Sequence, residues 1–506
     1  FTPAERELML DGINEQLSDL EKIRSVSISN TVPSPLHFDP RLPSMQFDHQ
    51  KYRSKFSRPR APQVPENLEE LAFCSIGELA ALIRSCKVTS LALTRMYLDR
   101  LKRHDPVLKC VVTLTEGLAI KQARRADREI AVGQYRGLLH GIPYGAKDLL
   151  AVSGYKTTWG SETHQNQIID LDATVIDRLE EAGAVLMAKL SVGALAWGDV
   201  WFGGMTKNPW NTEEGSSGSS AGSASAVAAG LVGFAIGTET LGSIVSPATQ
   251  CRVTGLRPTF GRVSRHGAMA LCWSMDKIGP IARTVEDCAI VFDAIYGSDG
   301  LDQDVVDMPF NYDATLNVKK LRVGYVKSAF DKERDNQAND DATLKVLKSI
   351  GVKLIPIELP ELPINAMGII LQAEASAAFD ELTRSNRDDL LARQVKDAWP
   401  NVWRHSRLIP AVEYVQANRV RYLAMQALAK LMDKIDVYVC PSFGADNLTL
   451  TNLTGHPCVV VPNGVDAKGK SSSISFTGKL YGEAAALSLA KAYQLKTDFH
   501  LQHPKL

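Results

Sequence analysis

The chain has 506 residues, and 57 Lys plus Arg are matched by 57 Asp plus Glu, so the formal net charge is zero. That balance gives no footing for nucleic acid or an anionic membrane surface as a partner. The 8 Cys are scattered without a Cys-x-x-Cys pair, which argues against a zinc ribbon, a redox motif or a small disulfide scaffold, and no apolar run is long enough for a membrane span.

Thr2-Pro3-Ala4-Glu5 reads as a helix start, with Thr2 as cap, Pro3 at the first helical position and Glu5 completing a capping box. Leu8, Ile13, Leu17, Leu20 and Ile23 recur at helical spacing, so residues 1–25 are assigned to an N-terminal helix. Its acidic excess argues against its lying on a membrane. The first residue, Phe1, is not Met, which fits either a removed leader or a chosen start; the compartment, cytoplasmic or exported, is left open. Residues 26–65 hold Pro33, Pro35, Pro40, Pro43, Pro59, Pro62 and Pro65 and read as an extended arm draped over the core, with a linker as the alternative.

The core, residues 66–506, opens with Ser75-Ile76-Gly77-Glu78, a capping box, and Thr89 caps the next helix. Cys110 to Leu114 is a strand and residues 116–132 a helix; a helix from Asp172 to Ala182 then leads into a strand from Gly183 to Ala188. Further β-rich runs are 321–326, 352–357, 437–440 and 458–461, alternating with helical patterns at 341–350 and 411–434. Such alternation points to an α/β layered fold around a mostly buried sheet. No internal repeat is evident.

Three stretches carry chemistry. In His140-Gly141-Ile142-Pro143-Tyr144-Gly145-Ala146-Lys147-Asp148, a lysine sits among small and apolar neighbours after a Gly-x-Pro turn. Gly215 to Ala226 is dense in Ser and Gly and feeds a small-residue apolar run, Ala226 to Gly237; a second Ser/Gly turn follows at Thr238-Glu239-Thr240-Leu241-Gly242-Ser243. Small side chains let backbone amides approach a bound group, as an oxyanion site requires. A packed Ala/Gly helix between two tight turns is the plainer reading of the same stretch. The third stretch, Gly464-Val465-Asp466-Ala467-Lys468-Gly469-Lys470-Ser471, matches the phosphate-loop pattern letter for letter. A strand-like run, Ser471 to Thr477, follows it where that motif needs a helix, so it reads as a polar turn between strands. Gly218-Ser219-Ser220-Ala221-Gly222 fits the nucleophile elbow of serine esterases. That motif needs a preceding strand and a downstream His. Pro209 to Glu214 has no strand character, and His266, His405 and His456 sit in no telling context.

Taken together, Lys147, the Ser/Gly run and the turn at Ser243 resemble the amidase signature family. The matching stretches run in order: Gly141 to Asp148, Asn208 to Asn211, Gly218 to Gly230, Gly237 to Ala248 and Gly255 to Ser264. The resemblance implies one large α/β domain, a single mixed, mainly parallel sheet with helices on both faces. It implies an amide hydrolase with Ser243 as nucleophile, Ser219 as relay after a cis Gly218–Ser219 peptide, and Lys147 as base. The chemistry is coherent without the resemblance. A serine hydroxyl needs a base, a buried lysine can be neutral, and a second hydroxyl can accept and donate at once. The oxyanion donors carried over are the backbone amides of Thr240, Leu241, Gly242 and Ser243, and no metal or organic cofactor is implied.

The chain departs from the family at Leu241, where Gly is usual, at Val245, where Arg is usual, and at Glu239, where Asp is usual. These departures are expected to set it apart from the amidotransferase A subunits, which release ammonia to a partner. That role, an esterase or carbamate hydrolase, and a non-catalytic scaffold are the alternatives to a small-molecule amidase. Trp197, Trp201 and Trp273, with Trp159 and Phe202 nearby, are candidates to line the substrate pocket, core packing being the plainer role for each. Substrate identity and a homo-oligomeric state are left open.

Overall fold

The structure, a computed structural model, describes Asn30 and residues 37–506. The helix expected over residues 1–25 lies outside the described residues, as does part of the arm. From residue 37 to 65 the arm is extended and passes over the core, with Lys55 bridged to Asp313 and the Phe38 ring set edge-on against Phe260 at 5.1 Å.

The capping signals act as local chemistry dictates. Ser75 Oγ accepts the Glu78 N–H at 3.3 Å while the Glu78 carboxylate accepts the Ser75 N–H at 2.8 Å, opening the helix Ile76–Arg84. Thr89 Oγ1 accepts the Ala92 N–H at 3.0 Å and opens Ser90–Leu108. The strand expected from Gly183 begins at Val185, because the Ala184 N–H still closes the preceding helix on the Leu179 carbonyl.

Eleven strands form one sheet. In spatial order they are Val111–Leu114, Val185–Leu190, Pro143–Lys147, Phe234–Glu239, Lys277–Ala282, Thr254–Arg257, Cys458–Val465, Ser471–Gly478, Val437–Pro441, Val323–Val326 and Leu354–Ile357. The sheet is mixed. Parallel pairing occurs in two blocks, around Pro143–Lys147 and around Val323–Val326, and antiparallel pairs join the blocks across the centre. Strands such as Val185–Leu190 and Lys277–Ala282 are buried at every position, so helices cover both faces.

Two local readings differ from the structure. Asn211–Gly215 is a strand after all, paired with Lys207–Asn208 in a short hairpin. Its residues are mostly exposed and polar, so backbone pairing holds it without the apolar alternation that marks a strand in sequence. The small-residue run splits into the helix Ala221–Ala228 and the strand Phe234–Glu239. Gly464 to Ser471 closes a hairpin between Cys458–Val465 and Ser471–Gly478, where Asp466 Oδ1 accepts the N–H groups of Lys468 and Lys470. No helix starts at Lys470, so the amide cradle of a phosphate loop is absent there.

Lys147 ends Pro143–Lys147, and the parallel neighbour Phe234–Glu239 runs into the turn at 240–244. The helices Ala221–Ala228 and Val245–Gln250 start beside these strand ends. Carboxyl ends of parallel strands are where open α/β sheets bind ligands.

Candidate active site

Lys147 is fully buried. Its Nζ lies 2.9 Å from Ser219 Oγ, 3.1 Å from Ser220 Oγ and 2.8 Å from Thr238 Oγ1. Burial pulls its pKa down to about 7 against the weaker opposing pull of Asp276 and Glu239. A neutral amine has two N–H groups and one lone pair. Ser220 Oγ already donates to the Thr238 carbonyl at 3.0 Å, so it takes one N–H of Lys147 as acceptor. Thr238 Oγ1 takes the other, and the lone pair is left for the Ser219 hydroxyl.

The Gly218–Ser219 peptide is cis. Ser219 is buried, and the next amide, Ser220 N–H, donates to the Ser243 carbonyl at 3.1 Å. The two Ser/Gly turns, 24 residues apart in sequence by 243 − 219, thus meet in space. The approach is close: a Cβ on Gly237 would fall 2.8 Å from Ser220 Oγ. Ser243 is 8 % exposed, so it is nearly buried. Gly242 has φ +89°, a conformation that a Cβ would strain. Among the described residues, no acceptor is paired with the N–H of Leu241, Gly242 or Ser243, while the following N–H groups, Ile244 and Val245, bond to Glu239 Oε2 at 2.8 and 2.9 Å. Free amides beside a serine hydroxyl are what a developing oxyanion needs.

Glu239 anchors this turn. Its Oε1 accepts Arg257 Nη1 and Asn452 Nδ2, each at 2.8 Å, and both ion-pair partners are fully buried. Burial would raise this carboxyl, but Arg257 and the hydrogen bonds outweigh it and hold the pKa at about 2. A carboxylate so depressed stabilises the fold above its ordinary value of 4.5, and that contribution is lost as pH falls toward 2. Arg257→Met would strand the buried carboxylate, so a loss of about 3–5 kcal/mol is expected in a urea titration.

The aromatic candidates separate. Trp273 lines a cavity of about 150 Å³ together with Thr238, Thr240, Met269 and Leu271. Trp201 and Trp197 do not line it. Trp201 is buried structurally: its indole N–H donates to the Lys109 carbonyl at 3.2 Å and Phe202 packs edge-on at 4.8 Å. The Trp197 ring lies under the Arg393 guanidinium at 5.1 Å. Trp159 is buried against His164 and Phe379. Of the histidines, His456 is buried and bonded to Thr454, His405 is on an exposed helix position, and His266 lines the cavity; none is bonded to Ser219, Ser220 or Ser243. Ser220, the elbow candidate, has its hydroxyl tied to both the N–H and the carbonyl of Thr238.

The amidase family model matches residues 92–459. The chain belongs to the amidase family. It is an enzyme of the carbon–nitrogen hydrolase type. It is 34% identical over 480 residues to the A subunit of glutamyl-tRNA(Gln) amidotransferase from Marinomonas sp. (strain MWYL1), spanning 85% of this chain and 98% of the relative. Native peptide amidase from Stenotrophomonas maltophilia superposes with a TM-score of 0.75 at 30% identity, covering 85% of this chain and 98% of that one. An amidase family protein from Bacillus anthracis str. Ames gives 0.77 at 28% identity over 87% and 93% of the two chains.

The three departures therefore do not set the chain apart from amidotransferase A subunits as expected. Leu241 is not in the left-handed region, so this amidase does not require Gly there, and its side chain packs against the cluster around Cys272 and Met275. Glu239 finds its cation in Arg257, which leaves position 245 free to be apolar. Sequence reading missed Thr238 as a hydrogen-bond partner of Lys147, and Asp276, whose Oδ1 accepts the Thr240 hydroxyl at 2.5 Å. It also missed the buried Lys189–Asp148 pair at 2.8 Å beside Lys147. Only the position of Asp148 next to Lys147 hinted at these. Among the described residues there is no His, Cys, Asp and Glu cluster suited to a metal ion, and no helix is long and apolar enough to cross a membrane.

Proposed function

We propose that this chain hydrolyses the amide bond of a small molecule through an acyl-enzyme on Ser243, with Ser219 relaying a proton to Lys147. The observation that carries the reading is the buried amine of Lys147, drawn down to about neutrality and set 2.9 Å from the Ser219 hydroxyl. Ser219 passes its proton to Lys147 Nζ and takes the proton of Ser243 Oγ, which attacks the carbonyl carbon. The N–H groups of Leu241, Gly242 and Ser243, with that of Thr240, receive the oxyanion. Collapse breaks the carbon–nitrogen bond as Ser219 returns a proton to the leaving amine, and Lys147 reprotonates Ser219. Water then enters by the same relay and releases the acid.

A second reading has the names of the relatives behind it: release of ammonia from glutamine for a partner chain. Purified chain alone is expected to release amine or ammonia from members of a panel of amides, anilides, esters and carbamates. Turnover confined to glutamine, and only when a copurifying chain is present, would favour the amidotransferase reading instead.

A further inference from the structure

Lys277 is a buried lysine that the proposed mechanism does not use. Lys277 begins the strand Lys277–Ala282, directly opposite Glu239, and is 3 % exposed. It lines the cavity that Thr238, a hydrogen-bond partner of Lys147, and Thr240 also line. Among the described residues its Nζ has one hydrogen-bond acceptor, the Met275 carbonyl, and no carboxylate within ion-pairing distance. An ammonium has three donors, and burial of an unpaired one is costly.

The other charged groups on the cavity wall are already matched. Asp276 accepts the Thr240 hydroxyl and the N–H groups of Leu271 and Cys272. Arg265 is held by Asp302, Asp304 and the Trp273 carbonyl. Trp273 supplies a second unspent donor: its indole N–H is buried and has no acceptor among the described residues. His266 and Gln303 also line the wall, and Leu149, Met269, Leu271 and Ile278 supply its apolar part. Burial and the nearby Arg257 also draw Lys277 well below the usual lysine range, so its charge responds to a bound partner.

We infer that Lys277, aided by the Trp273 indole, is a specificity determinant that receives an oxygen acceptor, a carboxylate or a carbonyl, on the part of the amide substrate entering this cavity. The inference rests on the amide-hydrolase reading and names the substrate class that reading leaves open. Two unspent donors facing a bound end disfavour a purely hydrocarbon one, because binding it leaves both unpaired.

The test compares hexanamide, adipamate and the methyl ester of adipamate, and the same three ends carried on the amine side of acetamides. In at least one series wild type is expected to prefer an oxygen-ended member over the methyl-ended one by about tenfold or more in kcat/KM, mainly through KM. Lys277→Met should collapse that ratio toward one, Lys277→Gln should retain part of it, and Trp273→Phe gives a second, milder variant should Lys277→Met not fold. The charged and neutral acceptors within a series tell carboxylate from carbonyl. The same preference should appear in calorimetric binding to Ser243→Ala, which needs no turnover. If wild type cleaves no amide yet Ser243→Ala binds the oxygen-ended compounds preferentially, the hydrolase reading falls and the site stands. Absence of any preference in both series, or a preference that survives both Lys277→Met and Trp273→Phe, overturns the inference.

Discussion

Ser243→Ala is expected to abolish turnover and acyl-enzyme formation together. The hydroxyl sits in the one turn whose N–H groups at 241–243 have no acceptor among the described residues, and whose backbone is bonded to the Ser219–Ser220 segment. Removing the proposed nucleophile leaves only what binding and the proposed oxyanion donors contribute, so a loss of roughly a million-fold is the scale to expect. The fold should survive, since the change deletes one oxygen and leaves the turn's backbone hydrogen bonds intact. Intact-mass spectrometry after mixing with a reactive ester should detect an adduct on wild type and none on Ser243→Ala. An adduct that persists and maps to Ser220 would instead support the esterase elbow. Against that outcome, the Ser220 hydroxyl is engaged by Thr238 on both its donor and acceptor sides.

Replacing Lys147 should be nearly as damaging, and the pH profile should reveal why. With its pKa at about 7, the amine is about one-tenth neutral at pH 6 and about nine-tenths neutral at pH 8. In the proposed mechanism the neutral form is the base, so kcat/KM should rise through this interval and level off above it. Lys147→Arg keeps a cation but cannot accept a proton near neutrality, and its planar fork does not fit the single-point site between Ser219, Ser220 and Thr238. Both Lys147→Arg and Lys147→Ala should lose about 100- to 10,000-fold, the usual range for a general base, with folding checked by circular dichroism. Retention of most activity in Lys147→Arg would make the residue structural. The base would then be sought first at His266, the histidine that lines the cavity.

Much of this was legible in the sequence. Capping at Ser75 and Thr89 is decided within four residues, and so are the β-rich runs at 437–440 and 458–461. Gly242 and Gly237 stand where backbone conformation or close approach excludes a side chain, which leaves a mark in the sequence itself. The family follows from the ordered motifs between Gly141 and Ser264. Interactions across long sequence separations leave no such mark. The Asn211–Gly215 strand exists through backbone pairing, to which side-chain periodicity is blind. Arg257 reaches Glu239 because their strands share a sheet, 18 residues apart in the chain, and Asn452 joins them from 213 residues away. Trp201 and Trp273 look alike in sequence, yet one spends its indole N–H on the Lys109 carbonyl and the other lines the cavity with its own unspent. Local hydrogen bonding and backbone sterics are therefore written in neighbouring residues. Burial is set by every element packed around a group, and so only the tertiary structure decided that the pKa of Lys147 is drawn down to about 7 and that Lys277 is left without a carboxylate within ion-pairing distance among the described residues.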